Sequence, residues 1–505
     1  MRESHSARTV AFAIPEQGTV LPDAGTSAAG FWRFLEFPRF LGMPGRALTV
    51  ILLTFAIVQA LPLAGLSKTQ KLSAAHFRSV FDLLENKEIR FDTETADPMS
   101  PLKALLAQKQ RFPLIDPHGS LDGFFQALQR AESGQSKEQI HILHYGDSPT
   151  TADLITADVR SRLQERFGNA GHGFSLVAAP WSWYQHRGIR LHASGWSMIT
   201  PTLGTRGDGK YGLGGVSFEG TVGAFSRVTL QDTGHTRVRV YFLKQPEEGA
   251  FEIAADGNVL AETITTAAQQ TSGAQNYPIP AGTREVSLRV THGTVRVFGM
   301  EFSKSHPGVL YSSLGLNGAS TSTLSRFMEA AHWGQQLRAA SPQLVVINYG
   351  TNESVFGAFV DKYLEPELRR VISRVRESVP DSAILIMSPM DRGTRNEAGD
   401  IVTPETIPDI VRIQKKVALD MNVAFFNTYE AMGGAGTMAK WYTKIPRLVG
   451  SDYMHPLPAG AKLVGDLLYE GLSEQYQRYK LKEIRKSLEA NEAEEPSVKG
   501  RRKHV

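Results

Sequence analysis

The chain has 505 residues, 41% of them hydrophobic and 21% charged, with a formal net charge of +4 and a pI near 9.0. That length exceeds the ~100–200 residues usual for one domain and implies two or more, while the composition is that of a globular protein with a large core. No Lys/Arg stripe interleaved with aromatics runs through the body, which argues against nucleic acid as a partner, and the lack of cysteine excludes disulfides, thiolate zinc sites, a cysteine nucleophile and a lipoprotein anchor.

Residues 1–46 form a tail rich in Gly, Pro and Ala, and residues 47–66 (ALTVILLTFAIVQALPLAGL) then run without a charge, long enough to cross a hydrocarbon core of ~30 Å. The segment reads as a transmembrane anchor or a signal peptide, with Met43 and Arg46 as an n-region if translation begins there. Arg33, Arg39 and Arg46 precede it and Lys68, Lys71 and Arg78 follow it, so flanking charge does not set its orientation. Residues 67–113 are a polar, partly helical lead-in.

From residue 114 the pattern becomes α/β. The run from Ile140 to Tyr145, closed by Gly146, predicts a buried parallel strand, and Leu154, Ile155, Val159, Leu163 and Phe167 recur at helical spacing up to a stop at Gly168. The alternation returns with strand-like 344–348, 383–387 and 423–426, separated by helical stretches such as 363–379. This predicts a doubly wound α/β core in two parts, 114–180 and 306–475. Between them, over 181–305, the period switches to two (236–242, 249–253, 285–290) with Gly, Asp, Asn and Pro at the turns. An inserted, sandwich-like β module is expected there, either carbohydrate-binding or structural. Residues 476–505 read as a charged helix and loose tail, because the basic residues alternate with glutamates.

Chemistry gathers at predicted strand ends, where open α/β sheets bind ligands. Gly146-Asp147-Ser148 would present a hydroxyl and its own N–H at a helix start. Serine needs a base, and Asp452-x-x-His455 offers an imidazole with a carboxylate three residues upstream to fix its tautomer. Asn352 in Gly350-Thr-Asn-Glu353 can offer an amide to an oxyanion, and Gly318 in Leu316-Asn-Gly-Ala319 a backbone N–H with no side chain in the way. Each motif alone also fits an ordinary turn or helix cap; their joint occurrence in this order singles them out.

These four blocks resemble those of the SGNH/GDSL hydrolase superfamily over about residues 139–472. Gly146-Asp-Ser with Ala152-Asp153, Arg166 to Gly173 (RFGNAGHG), Gly315 to Ala319 (GLNGA) and Tyr349 to Glu353 (YGTNE) are similar to peptidoglycan O-acetylesterases of the Ape type. The resemblance implies a three-layer, flavodoxin-like SGNH fold holding a carbohydrate-binding-like β insert. It also implies a Ser148–His455–Asp452 triad, an oxyanion hole from Ser148, Gly318 and Asn352, an acetyl-serine intermediate, no cofactor or metal, and an O-acetylated cell-wall polysaccharide as substrate. An exported, periplasmic or extracytoplasmic enzyme would follow, anchored in the inner membrane by residues 47–66.

Two positions depart from the superfamily pattern. Pro149-Thr150-Thr151 follows the serine in place of the Leu of the GDSL name, and Glu353 stands where the common block has Asp. The same triad would also serve an O-acetyltransferase, and a non-catalytic wall-binding protein on this scaffold is a further alternative. No G-x-S-x-G elbow occurs, against an α/β-hydrolase lipase. Trp181, Trp183 and Tyr184, and Trp441 with Tyr442, are either substrate-binding aromatics or core. His141 and His144 sit three apart on one strand and should face opposite ways, against a shared metal.

Overall fold

The computed structural model describes residues 110–203, 207–357 and 359–494. The uncharged segment 47–66 and residues 495–505 lie outside them. Among the described residues no helix is long and apolar enough to cross a membrane, and all of them fall in one unit, Leu72–Val505.

Strand β1 (Leu114–Ile115) and helix α1 (Asp122–Glu132) lead into β2 (Gln139–Gly146), α2 (Ser148–Thr151) and α3 (Thr156–Phe167). Strand β2 is buried almost from end to end, as a parallel strand covered on both faces must be. Its alternate residues go to different cores: Ile140 and Ile142 pack with Phe125 of α1 and Val159 of α3, while Leu143 and Tyr145 pack on the opposite face. The helical spacing of Val159, Leu163 and Phe167 buries that side of α3, which ends at Gly168.

The chain next builds the β region: β3 (Gly173–Ser175), β4 (Ile189–Ile199), β5 (Ser217–Leu230), β6 (Arg237–Lys244), β7 (Gly249–Ala255), β8 (Asn258–Ile264), β9 (Thr271–Pro278) and β10 (Glu285–Ser303). It differs from a sandwich of two separate sheets, since all eight strands belong to one hydrogen-bonded sheet. The reason lies in β10, whose register shifts against β5, β6 and β7. Such bulges bend a long strand, so one of its edges pairs with β5 and then β3 and the other with β7 and then β6. The sheet already begins at Gly173, and its apolar residues Phe218, Phe242 and Phe298 share one core with Tyr145 and Trp333 of the α/β layers. The region is therefore packed into the protein rather than hung from it.

The second α/β part comprises β11 (Gly308–Gly315), α4 (Ala330–Ala340), β12 (Leu344–Asn348), α5 (Phe359–Ser378), β13 (Ala383–Met387), the small hairpin β14 (Thr394–Arg395) and β15 (Ile401–Val402), α6 (Thr406–Asp420), β16 (Ala424–Phe426), α7 (Thr428–Ala431), α8 (Thr437–Thr443) and α9 (Pro458–Glu494). The central sheet has the order β1-β16-β13-β12-β2-β11, parallel except for β1. From β2 the chain goes to β11 on one side, then crosses to β12 on the other and continues outward. That reversal opens a crevice at the carboxyl ends of β11, β2 and β12. Close packing there needs Gly315, where a Cβ would come within 2.2 Å of the Thr151 backbone nitrogen.

Asp153 anchors the segment after Ser148. Its buried carboxylate accepts hydrogen bonds from Thr156 Oγ1 at 2.6 Å, from Arg160 Nη1 and Nη2 at 3.0 and 2.6 Å, and from the Arg187 N–H at 3.0 Å. Burial alone would raise its pKa, but Arg160 outweighs that and holds it far below the usual carboxylate range. Removing one partner of such a pair strands the other charge, so Arg160→Met should lower stability by about 3–5 kcal/mol, read from urea denaturation. An unchanged midpoint would show that this ion pair does not hold the region.

Candidate active site

Three loops converge on Ser148, the first residue of α2. Its Oγ lies 2.8 Å from His455 Nε2, and His455 Nδ1 lies 2.6 Å from Asp452 Oδ2. A carboxylate only accepts, so Nδ1 carries the proton and Nε2 is left to accept from the serine hydroxyl. Asp452 also receives the Met454 and His455 N–H groups, each at 3.1 Å. Burial would raise the Asp452 pKa, yet the bonds from His455 and Met454 prevail and keep it below its ordinary value. The turn is tight enough to hold Tyr453 in the left-handed region, at φ 57°, a strained conformation for a bulky residue.

The loops after β11 and β12 are tied to each other. Gly318 is exposed at φ +70°, a backbone that glycine adopts without strain. Asn352 Nδ2 donates to the Ala319 carbonyl at 2.8 Å; an amide NH₂ has two hydrogens, so one remains for a ligand. Glu353 Oε1 accepts from the Thr321 N–H and hydroxyl, both at 2.7 Å. The glutamate found where the common motif has aspartate thus clamps the glycine loop to the asparagine loop.

A family model described as GDSL-like lipase/acylhydrolase matches residues 279–463. The chain carries a GDSL-like lipase/acylhydrolase domain. It is a hydrolase of the esterase kind, and the matched stretch contains Gly318, Asn352, Asp452 and His455, with Ser148 upstream of it across the β region. A solved structure described as "Peptidoglycan O-acetylesterase in action, 5 min" is 22% identical, covers 72% of this chain and 99% of its own, and superposes with a TM-score of 0.61; at that identity the likeness is one of fold. A family two carbohydrate esterase from Clostridium thermocellum, in complex with cellohexaose, is 15% identical over 56% of this chain and 97% of its own, with a TM-score of only 0.25. No curated protein matches the chain.

Behind the serine of this acylhydrolase domain sits a second acid that the motif disguises. Asp147 is buried, and desolvation pushes its carboxyl up to about 7, opposed by a Thr351 hydrogen bond and reinforced by Glu353. Glu353 is raised as well by burial, against its two bonds from Thr321, and its Oε2 is enclosed without a partner. The middle residue of Gly-Asp-Ser therefore holds its proton through acidic pH and ionises near neutrality.

The aromatic candidates divide. Trp441 is 9% exposed and packs in the core cluster with Leu448 and Ala461, so helix α8 turns it away from the crevice. Tyr442 meets Tyr453 edge-on at 4.7 Å and braces the His455 loop. Trp181 is packed against the core, and Tyr184 accepts the Leu176 N–H at 2.9 Å. Trp183 is 55% exposed, and its Nε1 donates to Asn317 Oδ1 at 3.4 Å, which sets it on the rim beside Gly318. His141 bonds Ala340 O and Ser312 Oγ, each at 2.8 Å, whereas His144 bonds the Tyr311 hydroxyl at 2.6 Å. Alternation along β2 puts them on opposite faces, and among the described residues no group of three or more His, Asp or Glu side chains is arranged to hold a metal.

Asp147 has a measurable consequence. Unfolded, it ionises near ~4; folded, near 7. The folded state binds the extra proton in that window, so the stability it contributes is present below about pH 4 and is lost as pH rises through 7. The urea midpoint should fall from pH 5 to pH 8 in the wild type, and the fall should shrink in Asp147→Asn. Parallel profiles for the two proteins would refute a buried neutral acid at this position.

Proposed function

We propose that the protein is a serine-dependent carbohydrate esterase that removes O-acetyl groups from a cell-envelope polysaccharide, peptidoglycan above all. The observation that carries this reading is the unbroken chain from Ser148 Oγ to His455 Nε2 at 2.8 Å and from Nδ1 to Asp452 at 2.6 Å. The likeness in fold to a peptidoglycan O-acetylesterase across nearly all of that protein supports the substrate class.

In the proposed mechanism His455 takes the Ser148 proton as Oγ attacks the acetyl carbonyl, and Asp452 steadies the imidazolium. The Ser148 and Gly318 N–H groups and the free Asn352 amide hydrogen receive the oxyanion. Expulsion of the sugar alkoxide, protonated by His455, leaves an acetyl-serine; water deprotonated by His455 then releases acetate. The burial that disfavours a charged Asp147 fits this sequence, because an anion beneath the oxyanion would oppose the charge that develops there. Such a substrate places the enzyme outside the cytoplasm, with the uncharged run 47–66 as its export signal or inner-membrane anchor.

Ser148→Ala should lower kcat on an acetyl ester by about 10⁴–10⁶ while leaving the circular dichroism spectrum unchanged; retained turnover would exclude Ser148 as nucleophile. Asn352→Ala should cost about 10²–10³ in kcat, since it removes an oxyanion donor and loosens the loop of Gly318 together. A loss confined to KM would reassign Asn352 to substrate binding.

A further inference from the structure

Beyond the triad, the loops at the carboxyl ends of the central strands include an arginine without a counter-charge. Strand β13 lies next to β12 in the sheet, and the loop leaving its carboxyl end carries Asp391, Arg392 and Gly393. The Gly393 N–H donates to the Tyr453 carbonyl at 2.8 Å, fixing this loop against the one that bears Asp452 and His455. On its other side, Arg392 Nη1 donates to Ser354 Oγ at 2.6 Å, two residues beyond Asn352. The half-buried side chain thus reaches the loop of Asn352, while the backbone next to it is bonded to the loop of His455.

Its remaining donors are unspent. Arg392 Nε is enclosed with no hydrogen-bond partner, and among the described residues no carboxylate pairs with the side chain. The adjacent Asp391 is turned away, accepting from Thr403 Oγ1 at 2.7 Å and from the Met438 N–H at 2.9 Å. Desolvation with no compensating acid lowers the Arg392 pKa. The fully buried arginines have acids, Arg160 with Asp153 and Arg296 with Asp208, and half-buried Arg374 donates to the Leu324 and Met328 carbonyls, whereas Arg392 has only the Ser354 hydroxyl. A cation taken from water without an anion is costly. That cost is offset if a ligand brings the anion, and a planar, always-charged fork is the side chain best matched to a carboxylate.

We infer that Arg392 is a specificity residue of the esterase site, receiving the carboxylate of an acidic sugar whose acetyl group is presented to Ser148. The inference rests on the esterase reading and deepens it, since it divides acetylated glycans into anionic ones that the site prefers and neutral ones that it does not. A lactyl ether on an amino sugar and a uronic acid both supply the required carboxylate.

The test compares each acid with its neutral methyl ester, N-acetylmuramic acid against its ester and glucuronic acid against its ester, by calorimetric binding to the wild-type protein and as competitive inhibitors of acetyl-ester hydrolysis. At least one acid should bind about tenfold or more tightly than its ester, and which pair shows the gap identifies the source of the carboxylate. In Arg392→Gln the gap should close, and KM for O-acetylated glycan strands freed of their stem peptides, or for acetylated polyuronate, should rise at least about tenfold more than KM for p-nitrophenyl acetate. Equal binding of acid and ester by the wild type overturns the inference without recourse to any variant. So does an equal loss on charged and neutral substrates in Arg392→Gln, which would make the residue a brace for Ser354. Absence of Ser148-dependent ester hydrolysis would defeat the esterase reading instead, while calorimetry would still report whether Arg392 binds carboxylates.

Discussion

A hydrogen bond between side chains 307 positions apart in sequence, Ser148 to His455, depends on almost every other feature of the structure. Neither group is reactive by itself: a serine hydroxyl is a weak nucleophile, and an imidazole abstracts a proton only from a partner within reach. Bringing them to 2.8 Å requires that the end of β2 and the loop before α9 be fixed independently. Strand β2 sits between β11 and β12, with apolar side chains locked into cores on both faces. The histidine loop is held by its own aspartate, by the edge-on Tyr442–Tyr453 pair and by the loop after β13.

Electrostatics shapes the same region from beneath. Two buried acids, Asp147 next to Ser148 and Glu353 next to Asn352, are both raised by burial. Asp147 is hydrogen-bonded to Thr351 and Glu353 to Thr321, so the two tie the serine turn, the asparagine loop and the glycine loop together. Asp452 is the opposite case, partly exposed and fully hydrogen-bonded, so it remains ionised and available to an imidazolium. Environment, not residue type, moves two of the three carboxyl groups up and the third down.

Much of this arrangement is legible in the sequence, because parallel strands and their crossover helices announce themselves by period. The strands 344–348 and 383–387 emerge with the bounds read from pattern, and the Ser, Gly, Asn and Asp-x-x-His blocks fall at strand ends as an open sheet requires. Sequence reading falters where the deciding interaction is non-local. The single sheet of the β region arises from bulges in β10 that alternation does not reveal, and Trp441 reads equally as a substrate-binding aromatic or as core until the fold packs it with Leu448 and Ala461. Arg392 gives no signal at all. No motif surrounds it, and its importance lies in the partner it lacks, a property that only the folded environment defines. Asp147 is hidden in a different way, since the motif names it while its protonation depends on neighbours more than two hundred positions away, Thr351 and Glu353.

The central claim is that the hydroxyl of residue 148 becomes a nucleophile because the imidazole of residue 455 lies beside it. Brief reaction with a fluorophosphonate, followed by proteolysis and mass spectrometry of the peptides, measures this directly. A single adduct on Ser148, formed rapidly in the wild type and slowed by orders of magnitude in His455→Ala, is the expected result. Labelling elsewhere, or labelling of Ser148 at the same rate without the imidazole, would contradict the account.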